Sequence, residues 1–207
     1  MASFALASPR SVLRLVLLAA LTTTAAHAQS LYYATPQRAF AVTGSVASIL
    51  DEDVDAGGPS IGGQVAATLP GGVDLGLGIS RASADRPVTA LSATATVYPV
   101  RSGPARFGIF VGGQRTSSGG FSLLSASAGV VGAYHIDSPT GAAVVPQVLV
   151  AATAVEQVGL QVAVGAASAV VLPVGGATRL VAEPSLSYNV DAGGATGALS
   201  VGLAVGL

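Results

Sequence analysis

The 207-residue sequence contains no Lys, no Cys and no Trp, and only 9% of it is charged. Each absence excludes something. Without Cys there is no disulfide framework, no thiolate metal site, no cysteine nucleophile and no lipidated N-terminal Cys. The nine basic residues, all Arg, stand against ten acidic ones for a net charge of -1, which leaves no basic patch for nucleic acid. A soluble surface is about a quarter to a third charged, and this composition falls far short of it. Long apolar runs are missing too. Although 51% of the chain is hydrophobic, nothing beyond residue 28 offers the about 20 unbroken apolar residues of a membrane helix.

Residues 1–28 read as an export signal. Arg10 and Arg14 form a basic front, residues 12–21 an apolar run too short to span a bilayer, and Ala26-His27-Ala28 a small-residue cleavage site before Gln29. By length, residues 29–207 form one domain.

What that domain does contain is a period of two. In residues 61–69, Ile61, Gly63, Val65, Ala67 and Leu69 alternate with Gly62, Gln64, Ala66 and Thr68, and Pro70-Gly71-Gly72 then forces a turn. In residues 197–207, Leu199, Val201, Leu203, Val205 and Leu207 alternate with small residues. The same grammar recurs near 38–50, 73–80, 91–98, 106–114, 121–136, 144–153, 160–172 and 179–190, with Gly-, Pro-, Asp- and Ser-rich breaks between. That makes about ten strands, with eight the alternative. High hydrophobicity without a helical span, and strands with one apolar and one small or polar face, are reconciled by a closed, antiparallel, up-and-down transmembrane β-barrel in an all-β fold. Its backbone groups all pair between strands while alternate side chains face lipid. Strands of about ten residues, tilted near 40°, span roughly 25 Å, the height of an outer-membrane apolar band. With the N-terminus in the periplasm, the turns after even strands face the periplasm and the acidic stretch 51–60 lies outside. Pro146 and Pro184 fall inside strands and predict local bulges. Phe40, Phe107, Phe121, Tyr134 and Tyr188 are expected on the outward face near strand ends as interfacial anchors.

In this pattern of signal, about ten dyad-repeat strands and an alternating C-terminal strand, the chain resembles the small outer-membrane β-barrel proteins of double-membraned bacteria. The resemblance implies a cell outer-membrane location, contact with outer-membrane lipid and insertion by the barrel-assembly machinery. That machinery reads a terminal strand whose last residue is usually aromatic, and here it is Leu207.

Candidate chemistry is sparse. His135, Asp137 and Ser138 are the residue types of a nucleophilic relay, but neighbours on a strand point to opposite faces. Outer-membrane lipid deacylases carry a His-x-Ser pair where this chain has His135-Ile136-Asp137. No enzyme, cofactor or bound metal is expected. Asp51, Asp53 and Asp55 match the first three ligand positions of a calcium loop, yet Ala56 and Gly62 stand where Gly and a bidentate Glu belong. A solvated acidic loop is the reading, with weak divalent-ion binding the alternative. The functional question is the inward face. Asp74, Arg106, His135 and Arg179 are expected near the periplasmic end, with Gln64, Gln114, Gln147, Gln161 and Glu183 deeper and Arg179 paired to Glu183. A structural polar core is favoured because barrels this small are usually filled. The alternatives are a narrow passive channel for ions or small solutes, since many inward residues are Gly, Ala and Ser, and a secreted soluble β-protein such as an adhesin.

Overall fold

The computed structural model describes residues 40–49, 60–83, 87–100, 103–118, 120–156, 158–191 and 193–206. Residues 1–28, expected to be an export signal, and the acidic stretch 51–59 lie outside them. The strands are β1 (Phe40–Ile49), β2 (Ser60–Leu69), β3 (Val73–Ala82), β4 (Val88–Val100), β5 (Ala105–Ser118), β6 (Phe121–Tyr134), β7 (Ile136–Asp137), β8 (Ala143–Val155), β9 (Gly159–Gly175), β10 (Thr178–Asn189) and β11 (Gly194–Gly206). All pairings are antiparallel and follow chain order. β1 closes on β11, and β6 pairs with β8 past the two-residue β7. Among the described residues the ring therefore has ten spanning strands, as the alternation predicts, and no free edge.

The turns follow from their residues. Pro70 presets the first corner and Gly71, at φ 85°, the second, giving a type II turn closed by the Gly72 N–H on the Leu69 carbonyl at 3.3 Å. The prolines inside strands act differently from the bulges expected of them. Along β8 the register is unbroken from Ala143↔Val171 to Val155↔Gly159, straight through Pro146. On its other side the ladder to β6 stops at Ala133↔Gln147 and resumes in the same register at Ile136↔Val144. β7 is thus the continuation of β6, interrupted where Pro146 has no N–H to donate. Pro184 does the same between β10 and β9, where pairing skips from Ala182↔Val170 to Ser185↔Ala167 without a shift. The true irregularities fall elsewhere, between Val97 and Val100 around Pro99, and between Thr178 and Arg179.

The two faces of the wall separate cleanly. Leu75, Leu77 and Ile79 on β3, Val148 and Val150 on β8, and Leu199, Val201 and Leu203 on β11 are exposed on the outside. Asp74, Val145, Leu149, Ser200 and Ala204, at the alternate positions, are buried inside. Phe107, Tyr134 and Tyr188 lie outward near strand ends and are exposed. Phe121 does not join them. It shares the parity of buried Leu123, so it stands on the inward side at the mouth. The side chain of Phe40 is outside the described set.

Candidate functional site

The lumen is built from alternate residues of every strand, and large side chains occupy it where small ones stand opposite. Phe110, Glu183, Val145 and Val171 are each under 2% exposed. With Tyr98, Val131, Leu149, Val181 and Ala204 the apolar members form one cluster across the barrel, weighted to the end that carries the Pro70–Gly72 turn. Inward glycines make room for the rings. A Cβ on Gly108 would lie 2.8 Å from Tyr98 Cε1, and one on Gly129 would lie 2.8 Å from Phe110 Cζ and would also strike the Val150 carbonyl. Each ring thus lies over a glycine of the next strand. The space that Gly and Ala leave is filled by aromatic and aliphatic groups, and Phe110, Val145, Leu149 and Val171 are the lumen residues that reasoning from polarity passed over. Their signal was parity: each falls an even number of residues from an inward position on its own strand, Phe110 from Gln114, Val145 and Leu149 from Gln147, and Val171 from Gln161.

Polar groups gather toward the opposite rim. Gln114 Nε2 donates to Thr116 Oγ1 at 2.9 Å, and Asn189 Nδ2 donates to Gln161 Oε1 at 3.1 Å. Asp191 Oδ2 accepts from the Val162 N–H, and the Asn189 side-chain oxygen from the Asp191 N–H.

A closed ten-strand ring with an aliphatic outside and a packed inside decides the architecture. The fold is that of the bacterial outer-membrane β-barrels. The translocator domain of the autotransporter NalP from Neisseria meningitidis superposes with a TM-score of 0.50 at 10% identity, covering 96% of this chain and 98% of that one. Neisserial surface protein A gives 0.38 at 15% identity over 82% and 97%. An anion-selective porin from Comamonas acidovorans gives 0.38 at 16% identity over 73% of this chain, and this chain spans 50% of that porin's length. No protein-family profile matches the sequence, and no curated protein sequence does.

Within the barrel the nine residues singled out from sequence do not form one cluster. All lie at inward-parity positions, or, for His135, just past β6. Asp74, Arg106, His135 and Arg179 stand near the Pro70–Gly72 end, by the starts of β3, β5 and β10 and the end of β6. Gln64, Gln147 and Glu183 are buried toward mid-strand. Gln114 is buried in register with Gln64, through Gly78 and Ser92. Gln161 is not deeper in the lumen as expected, because antiparallel direction carries the first residues of β9 to the opposite rim. Nor do Arg179 and Glu183 pair. Four residues along a strand rise roughly 13 Å, and Arg179 Nη1 instead donates to the Gly176 and Thr178 carbonyls at 3.3 and 3.2 Å. Glu183 Oε2, Gln64 Oε1 and both amide atoms of Gln147 are buried with no hydrogen-bond partner among the described residues. At the turn, burial and then the Arg106 charge hold the His135 imidazole below its usual pKa, with Asp137 opposing them. Among the described residues no three His, Cys, Asp or Glu side chains come together as a metal site.

Proposed function

We propose that the protein is an integral β-barrel of the bacterial outer membrane with a filled lumen and a structural, non-catalytic role. Residues 1–28 are its export signal and 29–207 the barrel, delivered to the membrane by the barrel-assembly machinery. The aliphatic outer face supports the membrane setting, because a soluble adhesin would have to leave it in water. The observation that carries the filled lumen is the burial of Phe110, Glu183, Val145 and Val171 to under 2% exposure inside a ring of only ten strands.

One observation favours a narrow channel as the second reading. The polar atoms of Gln64, Gln147 and Glu183 that find no partner among the described residues would be satisfied by water threading the middle of the lumen. Planar-bilayer recording separates the two. The filled barrel inserts and stays silent. Stepwise ohmic conductance, altered by Glu183→Ala, would replace that reading with the channel.

A further inference from the structure

Tyr98 and Phe110 show one use of an inward glycine, a ring laid across it. A second set of glycines serves polar groups instead. A Cβ on Gly76 would lie 2.7 Å from Thr94 Oγ1 and 2.9 Å from Gln64 Nε2, and one on Gly78 would lie 2.7 Å from Ser92 Oγ. The glycines thus let these amide and hydroxyl groups lie flat against the β2–β4 wall. Ser80, Ser92 and Thr94 on this wall are half-buried, as are Ala167, Ser185 and Ser187 on β9 and β10, across the ring from them. Nearer the Pro70–Gly72 turn the lumen closes, with Thr96, Phe110, Val131, Ala169, Val181 and Glu183 buried. The order repeats along the strands. On β5 Gly108 and Phe110 precede Gly112 and Gln114, and on β10 Val181 and Glu183 precede Ser185 and Ser187. One half of the lumen is packed, and the other is only lined.

Two side chains at the edge of the packed half point to a ligand. Gln64 is 7% exposed and Gln147 5%, yet Gln64 Oε1 and both Gln147 amide atoms have no hydrogen-bond partner among the described residues. β2 and β8 stand five places apart in the ring of ten, so the two amides face each other across the lumen. Buried amides are ordinarily satisfied, and these two offer acceptor and donor to a molecule seated between them. The lining sets its charge. Among the described residues no inward side chain beyond the packed half is charged, and Asp191, past the end of β10, accepts from the Val162 N–H. An ion would leave water here without a counter-charge. We propose that the outer half of the lumen is a blind pocket for an uncharged, polyhydroxylated molecule of sugar size. Its hydroxyls bond Gln64, Gln147, Ser92 and Thr94, and its C–H face packs on Ala167. A ring of ten strands, little wider than the eight-stranded barrels that hold one small ligand, suits that size. The proposal rests on the reading of the lumen as filled, which supplies the floor.

The chain has no Cys, so single thiol reporters test this cleanly. In the folded protein in detergent, Ser80→Cys and Ser187→Cys should react with a water-soluble maleimide, and Val145→Cys, at a residue 0% exposed, should not. Sorbitol should slow the labelling of Ser80→Cys. Gluconate and N-methylglucamine, its anionic and cationic counterparts, should leave the rate unchanged at the same concentration. Gln64→Leu and Thr94→Val, each combined with Ser80→Cys, should raise the sorbitol concentration for half-protection at least about threefold, with heat-modifiable gel mobility reporting that each is folded. Unreactive thiols at both Ser80→Cys and Ser187→Cys would overturn the pocket. Labelling that sorbitol does not slow, or that either charged polyol slows as strongly, would overturn the ligand, and equal protection in both folded variants would overturn its seat. Reaction at Val145→Cys together with stepwise conductance would instead count against the filled lumen itself.

Discussion

The outward and inward faces of each strand are made from the same chain at alternate positions, yet they obey different rules. Outside, any aliphatic side chain serves, because it meets fluid lipid and no fixed neighbour. Leu199 on β11 and Val148 on β8, both exposed, fill that role equally well. Inside, each residue has a particular partner, so Phe110 is possible only because Gly129 on the next strand has no side chain. The outer face is specified by polarity, the inner face by shape.

The largest test of that contrast is a charge on the outer face. Val201 sits mid-way along β11 and is exposed. Val201→Arg should cost about 2–4 kcal/mol at the bilayer midplane, read by urea unfolding in phospholipid vesicles, while Val201→Leu should leave the transition in place. An unchanged midpoint for the Arg variant would mean that the outer face does not meet hydrocarbon.

Shape is tested at two glycines. A Cβ at Gly129 has backbone on two sides, the Val150 carbonyl and Ala151 Cα, as well as the Phe110 ring. At outward Gly113 the nearest group is the Ser125 carbonyl at 3.8 Å. Gly129→Ala should therefore lose about 1–3 kcal/mol through overpacking, and Gly113→Ala should stay within about 0.5 kcal/mol. Equal losses at the two sites would erase the distinction between a packed and an unpacked face.

The same contrast explains what could be read from residues alone. Strand positions, closure of β11 on β1 and the outward set all follow from a period of two, since side-chain direction alternates whatever the neighbours are. The lumen was legible only in part. Knowing that Gln161 points inward does not say which rim it approaches. That depends on strand direction and on where each strand starts against its neighbours. Pairing Arg179 with Glu183 assumed that a shared face means contact, which the rise of an extended chain forbids. The prolines were misread for a related reason. A missing N–H removes one hydrogen bond on one side of the strand, and β8 and β10 absorb that loss as a local gap in a ladder whose register holds.

The smallest expected effect concerns the inner face at the turn, where shape and charge meet. The His135 imidazole is half-buried near Arg106, and its pKa lies below the usual 6.5. The unfolded chain therefore binds a proton at His135 more readily than the folded barrel does, and stability rises with pH across that window. On acidification through 6.5 the barrel should lose stability, and the loss should level off below the folded-state pKa. His135→Gln removes the titrating group, so the difference between the two proteins isolates it from the carboxylates. The variant's urea midpoint should be flatter between pH 7 and pH 5 by a small margin, and Arg106→Gln should shrink the native protein's slope, because it relieves the second of the two causes. A native protein that grew more stable as the pH fell, relative to His135→Gln, would mean that the imidazole finds an anionic partner in the folded state and that Asp137 outweighs Arg106 at this corner of the barrel.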